Sequence, residues 1–184
     1  MPTSSIPKPV RDKNPINLRP FKYPYYIGQV GLDTDGEAIF GDWISGIRAG
    51  VMDLNIKIDS DGLDTIEKII PVFAPSSDGN DVKNYIYFVS QATGIPSNQK
   101  LITDDATIKA LFIAMAQEEM GSETFEQYIS DQDINDGIQY YATNEYPVRI
   151  HVAYNEYSSY IDWFVFLLGC GMVARKMARK KKTA

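Results

Sequence analysis

Cysteine and histidine are almost missing from this chain, which has one of each, Cys170 and His151. A lone cysteine excludes an intrachain disulfide, and the two residues together cannot assemble a Cys/His zinc site. No metal and no cofactor is expected. His151 lies in the run Val148-Arg149-Ile150-His151-Val152-Ala153-Tyr154. The run alternates like a strand, and a structural or surface role suits His151 better than catalysis. The N-terminus, Met-Pro-Thr-Ser-Ser-Ile-Pro-Lys-Pro, lacks the apolar stretch of a secretory signal, so no cleavable signal peptide is expected. No internal repeat is visible. Basic charge is also scarce over most of the chain. The formal net charge is −6, but six of the 18 Lys and Arg residues follow Ala174. Residues 1–174 keep 12 basic against 24 acidic side chains, net −12, which sets them against nucleic acid.

What the chain does have is concentrated at its ends. Residues 1–24 hold six of the ten prolines and are expected to form an extended arm with little regular structure. Such an arm is either a plain disordered terminus or a lace onto a neighbouring subunit. At the other end, residues 157–174 form an apolar run of 18 residues with aromatics at its entry, followed by Arg175, Lys176, Arg179, Lys180, Lys181 and Lys182. As a helix the run spans about 27 Å, against about 30 Å for a hydrocarbon core. Tyr157, Tyr160, Trp163, Phe164, Phe166, Leu167 and Leu168 are the residues expected to meet the bilayer. Asp162 would cost about 3 kcal/mol at a helix centre, but it falls in the second turn, at the level of an interfacial belt. Spanning and lying in the interface both remain open. The basic end is expected on the cytoplasmic side or on the inner side of an enclosed membrane. It suits anionic lipid headgroups, at about 1 kcal/mol per basic residue, or packaged nucleic acid.

Between the ends, periodicity and capping residues predict four or five short helices and little sheet. A glycine-rich loop or short hairpin is expected over 28–40, turning at Asp35-Gly36. Asp42 caps a helix carrying Ile44, Ile47, Val51 and Leu54. A second starts at Asp64 or Thr65 and is ended by Pro71 and Pro75. Asn80-Asp81 opens a third, which stops at Gly94. A fourth runs from Thr103 or Asp104 to Gly121. Ser130 caps a fifth, carrying Ile134, Ile138 and Tyr141. Residues 148–156 read as a connector.

The fourth helix carries the candidate catalytic group. On a wheel of about 100° per residue, Ile108, Leu111, Phe112 and Met115 form one stripe, and Glu119 falls within about 20° of its centre. Gln117 points away and Glu118 lies on the flank. Desolvation, the neighbouring charge of Glu118 and the negative end of the helix all favour the protonated acid at such a position. A carboxylic acid that keeps its proton near neutral pH is what cleavage of a glycosidic bond requires, because the leaving oxygen must gain a proton. Glu118 is the second choice. The plain alternative is a frayed helix end with Glu119 facing water.

Several short pieces occur in order: Asn14-Pro15-Ile16-Asn17-Leu18-Arg19, Phe40, Gly46-Ile47-Arg48-Ala49, Gly62-Leu63-Asp64-Thr65-Ile66, Phe73-Ala74-Pro75, Asn80-Asp81, Tyr85 and Gly94. This order resembles a lysozyme-like, lytic transglycosylase-like family of phages and prophages tied to virions and peptidoglycan. The resemblance covers roughly residues 12–145, and aligning on Gly121 brings the family's late glutamate onto Glu119. The family's flanking His and Asn are Glu118 and Met120 here, its glycine after Asn-Pro is Ile16, and its second proline after Ala-Pro is Ser76.

The resemblance implies a mainly α protein with a small irregular or β element: a lysozyme-like domain over 25–147, with its motif starting near 14. A membrane helix at 157–174 and a basic tail at 175–184 complete the chain. It also implies a sugar-binding cleft in which Asn14, Asn17, Arg19 and Tyr85 bind substrate. Arg19 and Arg48 have a plainer reading as partners of acids such as Asp42, Asn14 and Asn17 as turn formers, and Tyr85 and Tyr87 as core. The expected function is peptidoglycan cleavage, of lytic transglycosylase or muramidase type, by a membrane-attached virion protein in phage entry or release. One convincing glutamate suits the transglycosylase, with Asp42 and Glu37 the candidates for a second carboxylate. The expected partners are peptidoglycan, a lipid membrane, other virion proteins and packaged nucleic acid. The alternatives are a catalytically inactive structural protein of a membrane-containing phage, and an envelope protein that binds peptidoglycan without cleaving it.

Overall fold

A computed structural model describes residues 6–20 and 24–147. The connector, the proposed membrane helix, the basic tail, His151 and Cys170 lie outside the described residues. Among the described residues no helix is long and apolar enough to cross a membrane, and no group of three or more His, Cys, Asp and Glu side chains is arranged to hold a metal ion.

The described chain is mainly helical. Its elements are α1 (Lys8–Asp12), β1 (Gln29–Leu32), β2 (Ala38–Phe40), α2 (Trp43–Asn55), α3 (Ile66–Phe73), α4 (Val82–Thr93), α5 (Asp105–Met120), α6 (Ser122–Tyr128) and α7 (Asp131–Thr143). A wide turn over Ile56–Ser60 extends α2, and a tight one over Ser76–Asp78 follows α3. Side chains end the helices where the sequence says they should. Asp42, Asp81 and Asp104 accept from the backbone N–H three residues on, at the starts of α2, α4 and α5. Ser130 and Asp133 form a reciprocal capping box at α7. Left-handed Gly94 and Asn144 close α4 and α7.

The core gathers Ile47, Leu54, Ile66, Ile69, Ile70, Ile108, Leu111, Phe112, Met115 and Ile134, all under 2% exposed. Helix α2 runs through its middle. Two glycines let neighbours approach: a side chain at Gly137 would strike Ile47, bringing α7 against α2, and one at Gly50 would sit 2.6 Å from the Phe112 ring of α5. The hairpin is short. Gln29 pairs with Phe40 and Leu32 with Ala38, with a bulge at Val30.

Two expectations change. The proline-rich segment does not run as an extended arm through its described part. Pro7 and Pro9 pre-set φ at the start of α1, and Val10, Ile16 and Leu18 enter the core. Apolar residues at that spacing outweigh the disorder that proline content suggested. Pro71 does not end its helix, which continues to Phe73. The carbonyl deprived of a donor belongs to exposed Glu67, where water can serve it. Helix α6, in the segment after Gly121, was not anticipated.

Candidate functional site

A hydrogen-bonded loop, residues 13–19, builds one wall of the site. Asn14 is fully buried. Its Nδ2 donates to the carbonyls of Leu18 at 3.1 Å and Ala38 at 3.0 Å, while its Oδ1 accepts from Leu18 N at 2.9 Å. Ala38 N donates to Leu18 O at 2.8 Å, so the loop runs on as a neighbour of β2. Beneath it, Gly46 of α2 faces the Lys13 carbonyl so closely that any side chain would collide with it. The turn ends at Asn17, whose φ of 50° is left-handed, a conformation costing a non-glycine residue roughly 1 kcal/mol.

Opposite stands the end of α5. Ile108, Leu111, Phe112 and Met115 pack the core, and the same stripe runs out of core one turn later. Its last position, Glu119, is half-buried and lines an open cleft of about 300 Å³. Asn17 Nδ2 donates to Glu119 Oε2 at 2.7 Å. Asn17 Oδ1 is buried without a hydrogen-bond partner, at a typical cost of about 1–3 kcal/mol. Tyr85 of α4 stands behind the carboxylate. Burial, and then the Glu119 charge, push its phenol well above its ordinary pKa. Glu118 lies on the flank, raised by burial and by Glu119.

The rest of the cleft is polar. Tyr26 donates to Asp53 at 3.3 Å, and Lys57 reaches Asp53 at 2.8 Å while lying 4.9 Å from the centre of the Phe73 ring. Arg19 joins two walls, contacting Asp78 at 2.9 Å and Glu37 at 3.4 Å. Behind Glu37, Lys8 of α1 lies 2.9 Å from Asp33, 2.6 Å from Asp35 and 3.1 Å from Glu37. Burial pushes the Glu37 carboxyl up, and Lys8 opposes this without cancelling it. Burial would raise Asp33 too, but the Lys8 hydrogen bond and the backbone N–H groups of Glu37 and Asp35 outweigh it and hold Asp33 below the usual range.

A depressed acid adds stability above its unfolded pKa, near 4, and the gain is lost as pH falls through the folded value. Lys8→Met is therefore expected to cost about 1–2 kcal/mol at neutral pH, discounted for the partial exposure of Lys8, and clearly less in acid, once Asp33 is protonated in the folded protein. Urea unfolding at neutral and at acid pH measures the difference.

The residues expected from sequence separate in this geometry. Glu119, Asn17 and Arg19 line one cleft. Asn14 does not bind there, because its amide is fully buried and spent on the loop. Tyr85 is 5% exposed and offers no face for stacking, whereas Tyr87 is 64% exposed. Arg48 does not pair with an acid such as Asp42. It donates to Asn144 at 2.7 Å and lies 5.0 Å from the centre of the Tyr140 ring. Asp42 is occupied as the α2 cap, so of the two candidate second carboxylates only Glu37 reaches the cleft. Asp53, Lys57, Asp78 and Lys8 were missed. No motif marks them, although the Asp-x-Asp-Gly-Glu turn is a visible cluster of acids in need of a cation.

A mainly helical domain with a carboxylate-lined cleft is the class that this geometry defines. No protein-family model matches the chain, a lysozyme-like one included. Over 119 residues the chain is 39% identical to Protein P5 of Pseudoalteromonas phage PM2, across 63% of its own length and 72% of that protein. The chain belongs to the family of this phage protein.

Proposed function

We propose that this is a virion-associated, lysozyme-like phage protein whose cleft cleaves peptidoglycan between N-acetylmuramic acid and N-acetylglucosamine during entry or release. The observation that carries the reading is Glu119: the end of an apolar helix stripe delivers a carboxyl to an open cleft, where an amide holds it. In a one-carboxyl scheme Glu119 gives its proton to the leaving glycosidic oxygen as the C–O bond breaks. The resulting carboxylate then takes the proton of the sugar's own hydroxyl as that oxygen bonds to the anomeric carbon. Glu37 is the other carboxylate of interest, but Lys8 and Arg19 already engage it, which favours this lytic transglycosylase scheme over a two-carboxylate hydrolase. Residues 157–174 would attach the protein to a membrane. The basic tail would meet lipid headgroups or packaged nucleic acid, and other virion proteins would surround the domain.

A second reading is a structural virion protein of a membrane-containing phage with an inactive cleft. It is favoured by the kinship with a phage protein, and by Glu118 and Met120 standing where the resembled family has His and Asn. A peptidoglycan zymogram of the full chain and of Glu119→Gln decides between them. Clearing that the substitution abolishes supports the enzyme. Clearing that survives it sinks the assignment of Glu119, and no clearing by either supports the structural reading.

A further inference from the structure

We infer that Asn17 is a positioning residue that holds the Glu119 carboxyl in its working direction, an inference that rests on the reading of Glu119 as the proton donor. The resemblance implied substrate binding for Asn17, yet its side-chain donor is spent on the protein, at 2.7 Å from Glu119 Oε2.

Turn architecture does not require this side chain. The turn is closed by backbone, with Asn17 N donating to Asn14 O at 3.1 Å. The left-handed φ of 50° suits glycine at least as well. Oδ1, the atom that would cap a local N–H in an ordinary Asx turn, is buried without a partner. What asparagine adds over glycine is the donated hydrogen bond to a residue 102 positions away. The loop that presents it is fixed on both sides, by the buried Asn14 amide and by the close seat of Lys13 on Gly46. Securing one carboxylate oxygen from a hydrogen-bonded, closely packed loop restricts rotation of the carboxyl and so the direction of the other oxygen. That is the geometric demand of proton transfer to a leaving group.

The test uses the full chain with Asn17→Gly and Asn17→Asp, both of which tolerate a left-handed backbone. A purely structural role lowers the melting temperature of Asn17→Gly and leaves its kcat near wild type. Positioning predicts that Asn17→Gly melts no lower than wild type yet loses about 10²-fold in kcat with KM nearly unchanged. Asn17→Asp, which turns a carboxylate toward Glu119, loses more and shows an altered pH–rate profile. Wild-type kcat in Asn17→Gly overturns the inference. If the wild type clears no peptidoglycan, the reading of the cleft fails by itself, and the contact is then judged by NMR. The Asn17 side-chain amide protons are expected to be shifted and slow to exchange in the wild type, and to lose both features in Glu119→Ala. Amide protons that do not respond to Glu119→Ala overturn positioning whatever the activity.

Discussion

Gly46→Ala is expected to destabilise the domain by about 3 kcal/mol, the upper part of the range for overpacking. The added methyl meets the Lys13 carbonyl and comes within 3.3 Å of Pro15 Cδ. Neither is the free end of a flexible side chain, so relief requires the 13–19 loop to lift from α2. That loop also presents Asn17 to Glu119. The variant should therefore lose lytic activity even at temperatures where it remains folded. Gly36→Ala is the control. Its φ of 83° strains any side chain, but nothing lies within 4 Å, so it is expected to cost only about 1 kcal/mol and to leave activity alone. Thermal and urea unfolding of both variants, with activity assayed well below each midpoint, provides the check.

Phe112→Ala is expected to cost about 3–5 kcal/mol, the range for emptying a fully enclosed aromatic site. Its ring has no exposed surface. It is packed so closely on Gly50 that a methyl there would lie 2.6 Å from Cε2 and 3.1 Å from Ile16 Cδ1. Gly50→Ala alone is thus an overpacking substitution worth about 1–3 kcal/mol. In the double variant the methyl enters the space the ring has left. The pair should be less destabilised than the sum of the singles, a coupling that a double-mutant cycle measures directly. Strict additivity would show that the ring and Gly50 do not share that space.

Helices α4 and α5 were legible because local chemistry marks both ends of each, and α7 because it marks the start. Asp81, Asp104 and Ser130 accept terminal N–H groups at the starts, the Gly121 N–H serves the Gln117 carbonyl at the end of α5, and left-handed Gly94 turns the chain out of α4. Glu119 was legible because a helix wheel reports which face a residue shares. Helix α1 was not, since proline content signals extension unless the proline happens to stand at a helix start. The other cleft residues were hidden for a different reason. Asp53, Asp78 and Lys8 are ordinary surface-type charges until the fold brings them together, and charge alone does not say which pairs will meet. For Asn14 and Tyr85 the sequence offered two readings each, because the polarity of a side chain does not reveal whether it is used on substrate or on the protein's own backbone and core.

The separation of Asn17 and Glu119 in sequence also has a kinetic meaning. Their hydrogen bond closes a span of 102 positions, so every element from the hairpin to α5 lies between the two. Loop closure of that size is paid only when the intervening contacts have formed. No local fragment can therefore hold the site in its assembled form. A short ribosome-bound nascent chain carries the amide of Asn17 before the carboxyl of Glu119 has been made, and the finished geometry arrives together with the finished fold.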